Sequence, residues 1–355
     1  MIKLLGLALY GPLAASTRYR LEQYKTGLAE YGIDLHLQYL LGDEYLRRRV
    51  MGTTRYLPFG ALLQSGSERI ALLLRQQHFA GAIVYAELFP FLPGWLERLL
   101  LSKPYLYDFD DAFYLKYRQG KWAILQPLLA NKFDTLMAGA AAVTAGSGIL
   151  ADYARTRNRN TFLLPTVVDT ERYRSIPRTD NQTFTVGWIG SPTTAPYLAQ
   201  LSSPLTILGK EAPLRLVVVG GKAPAIPGII VEEIPWSAQT EITLINSFDV
   251  GIMPLTNDAW AKGKCAFKLI QYLACGIPAV ASRVGGNLDV LTSDCGMLVD
   301  TLDEWVEALR FFRDKQESRL AMGQAGRARV EQHYSLHRNI PILAEIICKT
   351  VVKET

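Results

Sequence analysis

AWAKGKCAFKLIQYLACGIPAVASRVGGNL, residues 259–288, decides how this chain folds. The stretch holds four cations (Lys262, Lys264, Lys268 and Arg283) and no acid. Read at helical spacing, Lys264, Lys268, Gln271 and Cys275 fall on one face, while Phe267, Ile270, Leu273 and Ala274 form the apolar side. Gly276 is positioned to cap the helix C-terminus, and Pro278 forbids its continuation. Residues 279–281 then read as a short buried strand. A helix that follows a glycine-containing turn and keeps two lysines and an amide on one face is suited to meet an anion. The positive end of its dipole adds to the ammonium groups. The competing reading is a solvated lysine face.

Outward from this stretch the chain alternates strand-like and helical segments. Residues 3–10 are an apolar run closed by Gly11-Pro12, followed by a helix over about 17–31 and a strand at 33–40. Runs at 80–86, 104–107 and 140–145 repeat the pattern. A second series starts near Asn181 or Thr183, with strands at 184–189, 214–219, 249–253 and 278–281. This alternation predicts an α/β chain of parallel sheets covered by helices, with ligands beyond the strand C-termini. The polar stretch 172–182, with Pro177 and Asp180 inside it, marks the expected boundary, and from Leu302 onward the pattern is helical.

Composition fits two sizeable cores: 355 residues, 49% hydrophobic and 20% charged. Cys265, Cys275, Cys295 and Cys348 show neither paired spacing nor metal-ligand spacing with the histidines, His333 and His337 included. Reduced thiols in a cytoplasmic protein are expected, with no metal site. No secretory signal is expected, and no apolar run approaches the roughly 18 residues of a membrane span. Basic excess lies in the first half: residues 1–175 hold 21 Lys+Arg and 15 Asp+Glu, a net +6, against 17 and 18 in the rest, a net −1. Arg47-Arg48-Arg49, with Arg55 and Tyr56-Leu57-Pro58-Phe59, suits either an anionic membrane surface or a solvated loop. No recognised binding module accompanies the charge, so nucleic acid is not an expected partner.

The run Lys268-Leu269-Ile270-Gln271-Tyr272-Leu273-Ala274-Cys275-Gly276-Ile277-Pro278-Ala279-Val280-Ala281-Ser282, with Gly285-Gly286 beyond, resembles the donor-site helix of the family 4 (group 1) glycosyltransferases, retaining enzymes of the GT-B fold. Phe248-Asp249-Val250-Gly251-Ile252-Met253-Pro254 resembles the family's strand ending in proline. Val186-Gly187-Trp188-Ile189-Gly190-Ser191 is similar to the opening of its second domain, and Leu164-Pro165-Thr166-Val167-Val168-Asp169 to its interdomain segment. The likeness is strong over about the last half of the chain and looser before it. It implies two Rossmann-like domains facing across a cleft, 1–175 on the acceptor side and 176–338 binding the nucleotide sugar. It also implies a C-terminal helix in 339–355 that crosses back to the first domain.

The chain departs from the family where many members carry two glutamates, one reaching the donor sugar and one the ribose. Gly263 and Gln271 stand there. Gln271 can still hydrogen-bond a ribose hydroxyl, without a carboxylate's strength. The family's phosphate-binding Arg and Lys are replaced by Gly190-Ser191-Pro192-Thr193, and Lys264 and Lys268 are the natural substitutes, each contributing roughly 1.5–3 kcal/mol at a phosphate oxygen. Trp236 is expected beside the nucleotide base, Arg283 at phosphate, and Gly285 where backbone approaches the donor. In the first half, Gly11, Ser16, Arg18 and Arg20 resemble the family's glycine loop. Ser16 or Thr17 caps its helix, and Arg18 or Arg20 reaches a diphosphate. Asp110, in Tyr107-Asp108-Phe109-Asp110-Asp111, falls where many relatives have a histidine near the reacting sugar, and is the expected partner of the acceptor hydroxyl.

The resemblance thus implies transfer of a sugar from a nucleotide-diphosphate donor to the hydroxyl of a glycan or lipid-linked glycan. It implies retention; the lysines offer a site that needs no metal or cofactor, and the basic first half allows a cytoplasmic enzyme peripheral contact with the inner face of a cell membrane. Lys264, Lys268, Arg283 and helix-end amides would stabilise the leaving diphosphate. Asp108-Phe109-Asp110 offers a rival, the metal-holding D-x-D of GT-A transferases, which leaves the 268–282 match unexplained. A sugar-nucleotide epimerase on the same fold and a catalytically silent subunit are the readings from other classes.

Overall fold

The computed structural model describes residues 1–50, 59–176 and 183–351. Arg55, Tyr56, Leu57 and Pro58 of the basic cluster, and Pro177 and Asp180 of the expected boundary, lie outside the described residues, as do the side chains of Arg48, Arg49 and Phe59. The chain divides into two units, Met1–Val167 with Leu336–Thr355, and Val168–Ser335.

In the first unit the central strands are apolar runs buried on both faces, which favours a parallel sheet. Its six strands, β1 (Ile2–Tyr10), β2 (Ile33–Leu41), β3 (Gly81–Tyr85), β4 (Tyr105–Phe109), β5 (Ala142–Ala145) and β6 (Thr161–Leu163), lie in the order β2-β1-β3-β4-β5-β6. All the pairings are parallel. The core joins Leu4, Leu28, Ile33, Ile83 and Leu106 to Leu343, Ile346 and Ile347 of the last helix, Leu336–Thr350. Gly27 makes room for that helix, since a Cβ there would come within 2.3 Å of Ile340 Cδ1.

One helix departs from its expected form. In place of a continuous helix over 17–31 there are a short turn Ala15–Thr17, a π turn Arg18–Glu22 and the helix Tyr24–Glu30. Tyr19, Arg20 and Leu21 are all buried. Three consecutive side chains cannot share the inner face of a regular α-helix, and the wider π turn accommodates them.

The second unit holds β7 (Phe184–Ile189), β8 (Leu214–Val219), β9 (Ile230–Ile234), β10 (Val250–Met253), β11 (Ala279–Ser282) and β12 (Gly296–Val299), in the order β12-β11-β10-β7-β8-β9. These pairings too are all parallel. Trp188, Leu216, Val218, Ile252, Val280, Leu309 and Phe312 form its core. In each sheet the chain leaves the first strand to one side and later returns to the other. The direction of winding therefore reverses between β1 and β3, and again between β7 and β10. Ligands of open α/β sheets bind beyond the strand C-termini at such reversals.

Candidate active site

In the second unit the lysine stretch is anchored below and opened above. Asp258 caps the helix Ala259–Lys262 by accepting from Ala261 N at 2.9 Å, and Gly263 ends it. Ala266, at φ +53, redirects the backbone into the helix Phe267–Ala274. Lys264 therefore lies in the turn between two helices, a correction to its expected place on the helix face with Lys268. Buried Tyr272 fixes the height of that helix: its hydroxyl accepts from Ile189 N at 3.0 Å and donates to Ile252 O at 3.3 Å. One turn earlier, Lys268 is carried to the end of β7, its ammonium 5.5 Å from the Trp188 ring centroid. Gly190 leaves space for the lysine stem, as a Cβ there would be 2.9 Å from Lys268 Cε.

From Gly190 the contacts run in a closed ring. Gly220, at φ +78, packs on Gly190 O and on Trp236 Cβ, at 2.4 and 3.0 Å from where its own Cβ would be. The Trp236 indole donates to Glu241 Oε2 at 2.8 Å, and Tyr173 donates to Glu241 Oε1 at 2.7 Å. Gln271 Nε2 donates to the Tyr173 oxygen at 3.0 Å, which returns the ring to the lysine helix. Gly190, Trp236, Lys268 and Gln271 are thus brought together around the C-terminal ends of β7, β8 and β9. Ser191 stands exposed on the same rim, its hydroxyl 2.8 Å from that of Thr193.

Two expected donor residues have other structural partners. Gly285, at φ +57, gives its open side to the lysine turn: a Cβ would lie 2.5 Å from Lys262 O, and one on Gly286 2.4 Å from Lys264 O. The glycine pair thus admits protein backbone. Exposed Arg283 is held by Asp300 at 2.8 Å and Leu298 O at 2.9 Å, and these bonds tie it to β12. Tyr173 and Glu241 escaped the sequence reading altogether, for neither lies in a motif and Glu241 becomes buried only in the fold.

In the first unit Asp110 follows β4 and shares a hydrogen bond with the Tyr85 phenol at the end of β3. The Ser16 hydroxyl also bonds Tyr85. Loss of water pushes the Asp110 pKa up to about 6, although Arg20 and the Tyr85 bond pull it down. Burial, followed by the Asp110 charge, raises Tyr85 well above its ordinary value. Asp110, Tyr85 and Ser16 therefore form a linked set beside the β1/β3 reversal.

Arg20 has a role other than the expected one at a diphosphate. It is 2% exposed and grips Asp108 with two nitrogens, the Nε bond being 2.9 Å, while Nη1 donates to Leu164 O at 2.7 Å. Thr144 adds a bond to Asp108 at 2.6 Å. This buried pairing also engages Asp108 in protein contacts, against the D-x-D reading. Arg18 donates to Pro12 O at 3.0 Å, with its guanidinium 4.8 Å from the Tyr19 ring centroid. Gly11 wraps over Asp43, whose Oδ1 accepts from Leu13 N at 3.0 Å.

Two units, each with a six-stranded parallel sheet in the order given, are the elements of the GT-B fold. Residues 211–345 match the family model described as "Glycosyl transferase-like". Solved structures agree over the whole chain. A sucrose-phosphate synthase from Thermosynechococcus elongatus superposes with a TM-score of 0.69 at 14% identity, covering 98% of each chain. A glycosyltransferase from Rickettsia africae gives 0.67 at 13%, covering 100% of this chain and 99% of its own. Anabaena HepE, solved with UDP and glucose, gives 0.66 at 14%, covering 98% and 100%. No curated protein sequence matches the chain. The chain has the GT-B fold, and over residues 211–345 it is similar to glycosyltransferases.

Proposed function

We propose that the chain transfers a sugar from a nucleoside-diphosphate donor to a hydroxyl of a glycan or lipid-linked glycan, with retention and without a metal. The observation that carries this reading is the ring from Gly190 through Lys268 and Gln271 to Trp236 at the β7/β10 reversal. In this reading the Lys268 ammonium, aided by Lys264, takes the charge that develops on the leaving diphosphate. Trp236 offers its ring to the base, Gln271 an amide oxygen to the ribose, and Ser191 a hydroxyl to phosphate. Asp110, ionised above about pH 6, receives the acceptor's hydrogen bond. That HepE was solved with UDP and glucose supports a donor of this chemical class.

We further propose peripheral contact with an anionic membrane at its cytoplasmic face. Among the described residues no helix is long and apolar enough to span a bilayer. In the first unit, Leu63, Leu74, Trp95 and Leu99 are each more than half exposed. Arg75 and Arg98 accompany them on the surface, and Glu68 is the only exposed acid among the described residues of 59–104. Apolar side chains with a basic surround suit an anionic headgroup layer. Co-sedimentation with anionic vesicles, weak with zwitterionic ones and weakened by W95A/L99A, is the expected result.

The donor reading is tested by thermal stabilisation with UDP, GDP, dTDP and ADP, each with and without magnesium. One selective shift, indifferent to magnesium and weakened about tenfold or more in affinity by K268A, is expected from loss of a charge-assisted contact. Dependence on magnesium, or an unchanged K268A, would remove the lysine-based site. Turnover of donor that leaves the sugar on the nucleotide would point to the epimerase.

A further inference from the structure

The polar chain behind the lysine helix can carry its hydrogens in one direction only. We propose that Glu241 and Tyr173 are positioning residues that stand in for the carboxylate absent from position 271. They would orient Gln271 so that its Oε1 meets a ribose hydroxyl of the donor. This rests on the donor site proposed above.

The direction follows from which groups are able to donate. An indole and a guanidinium have no acceptor, so Trp236 at 2.8 Å and Arg172 at 3.1 Å make both Glu241 oxygens acceptors. Tyr173 has one hydroxyl hydrogen and directs it to Glu241 Oε1 at 2.7 Å. Its oxygen is then left only to accept from Gln271 at 3.0 Å, so the amide must present nitrogen. Turning the amide over would set oxygen against oxygen. Gln271 Oε1 therefore points away from Tyr173, and among the described residues nothing donates to it.

The same logic accounts for an amide at 271. A carboxylate there would be an acceptor facing a phenol whose hydrogen is already committed to Glu241. The negative charge thus stands behind the site, on a carboxylate that is 1% exposed. It reaches the donor through two hydrogen bonds, and the same carboxylate fixes the Trp236 ring.

Three readouts test this: the ligand-free melting temperature, the affinity for the nucleoside diphosphate that binds best, and the preference for it over its 2′-deoxy form. Q271E should lower the melting temperature and weaken binding about tenfold. E241Q/Q271E reverses both hydrogen bonds of the Tyr173 hydroxyl, leaves Trp236 donating to an oxygen and gives up only the Arg172 bond, so it should recover part of both relative to Q271E. Y173F preserves the ring's volume but frees the amide to turn, so the ribose preference should fall several-fold. A harmless Q271E, a double variant no better than the worse single one, or an unaltered ribose preference in Y173F would overturn the proposal. If the wild type binds no nucleoside diphosphate, the donor reading itself fails, and with it the role at ribose. The melting temperatures of the swap would then still judge the hydrogen direction alone.

Discussion

Asp110 is the residue whose proton the proposed transfer depends on, and its surroundings set two opposite pH responses. Its folded pKa of about 6 lies above the ordinary 3.8. Protonation is thus favoured by folding, and Asp110 contributes stability below about pH 4 that is lost as pH rises through 6. Transfer needs the ionised form, so activity should climb over the same interval. We expect an acidic limb near pH 6 in kcat, and D110N should lose that limb and about a hundredfold in rate while binding donor normally. Wild-type turnover in D110N would make Asp110 structural. Because the Tyr85 bond holds the pKa down, Y85F should move the limb to higher pH; a limb that stays or falls would show that Tyr85 does not tune it. At this scale the sequence was uneven as a guide. Asp110 stands at the end of an apolar strand, and Lys268 on a helix that its apolar face and glycine cap mark out. Arg20 was expected at a diphosphate because its actual partner, Asp108, lies 88 residues away.

The lysine turn illustrates what an element requires of its neighbours. Lys264 is presented by backbone that needs the open faces of Gly285 and Gly286. A methyl at Gly285 would meet Lys262 O and would also have to accept φ +57, a left-handed conformation costing roughly 1–2 kcal/mol. G285A should therefore lower stability by at least about that amount in urea and weaken nucleoside-diphosphate binding, although Gly285 itself need touch no ligand. Normal stability with weak binding would instead argue for direct donor contact. Central elements were legible because buried parallel strands are continuous apolar runs, as in Leu214–Val219 and Phe184–Ile189. The edge strands β6, β9 and β12 were missed. They are short, and β9 reads IVEEI, whose adjacent glutamates fall on opposite faces and interrupt the apolar run. The π turn was also hidden, since its cause is the burial of Arg20 against a distant carboxylate.

At the scale of the whole molecule, sequence order and structural unit part company. The second unit is one continuous segment, Val168–Ser335, whereas the first needs Leu336–Thr355 to complete it. Leu343, Ile346 and Ile347 belong to its core, and burying each contributes about 1.5–3 kcal/mol. Together that is of the order of a domain's entire net stability of roughly 5–15 kcal/mol. A chain ended at Ser335 should accordingly lose the cooperative unfolding of the first unit. Its second unit should keep a melting transition that still rises with the nucleoside diphosphate bound by the intact protein, because the ring from Gly190 to Gln271 uses only residues of Val168–Ser335. Circular dichroism melts with and without ligand would separate the two effects. Two undisturbed transitions in the shortened chain would mean that the last helix adds little to the core it enters. Loss of the ligand-dependent transition would mean that nucleotide binding draws on residues beyond the second unit.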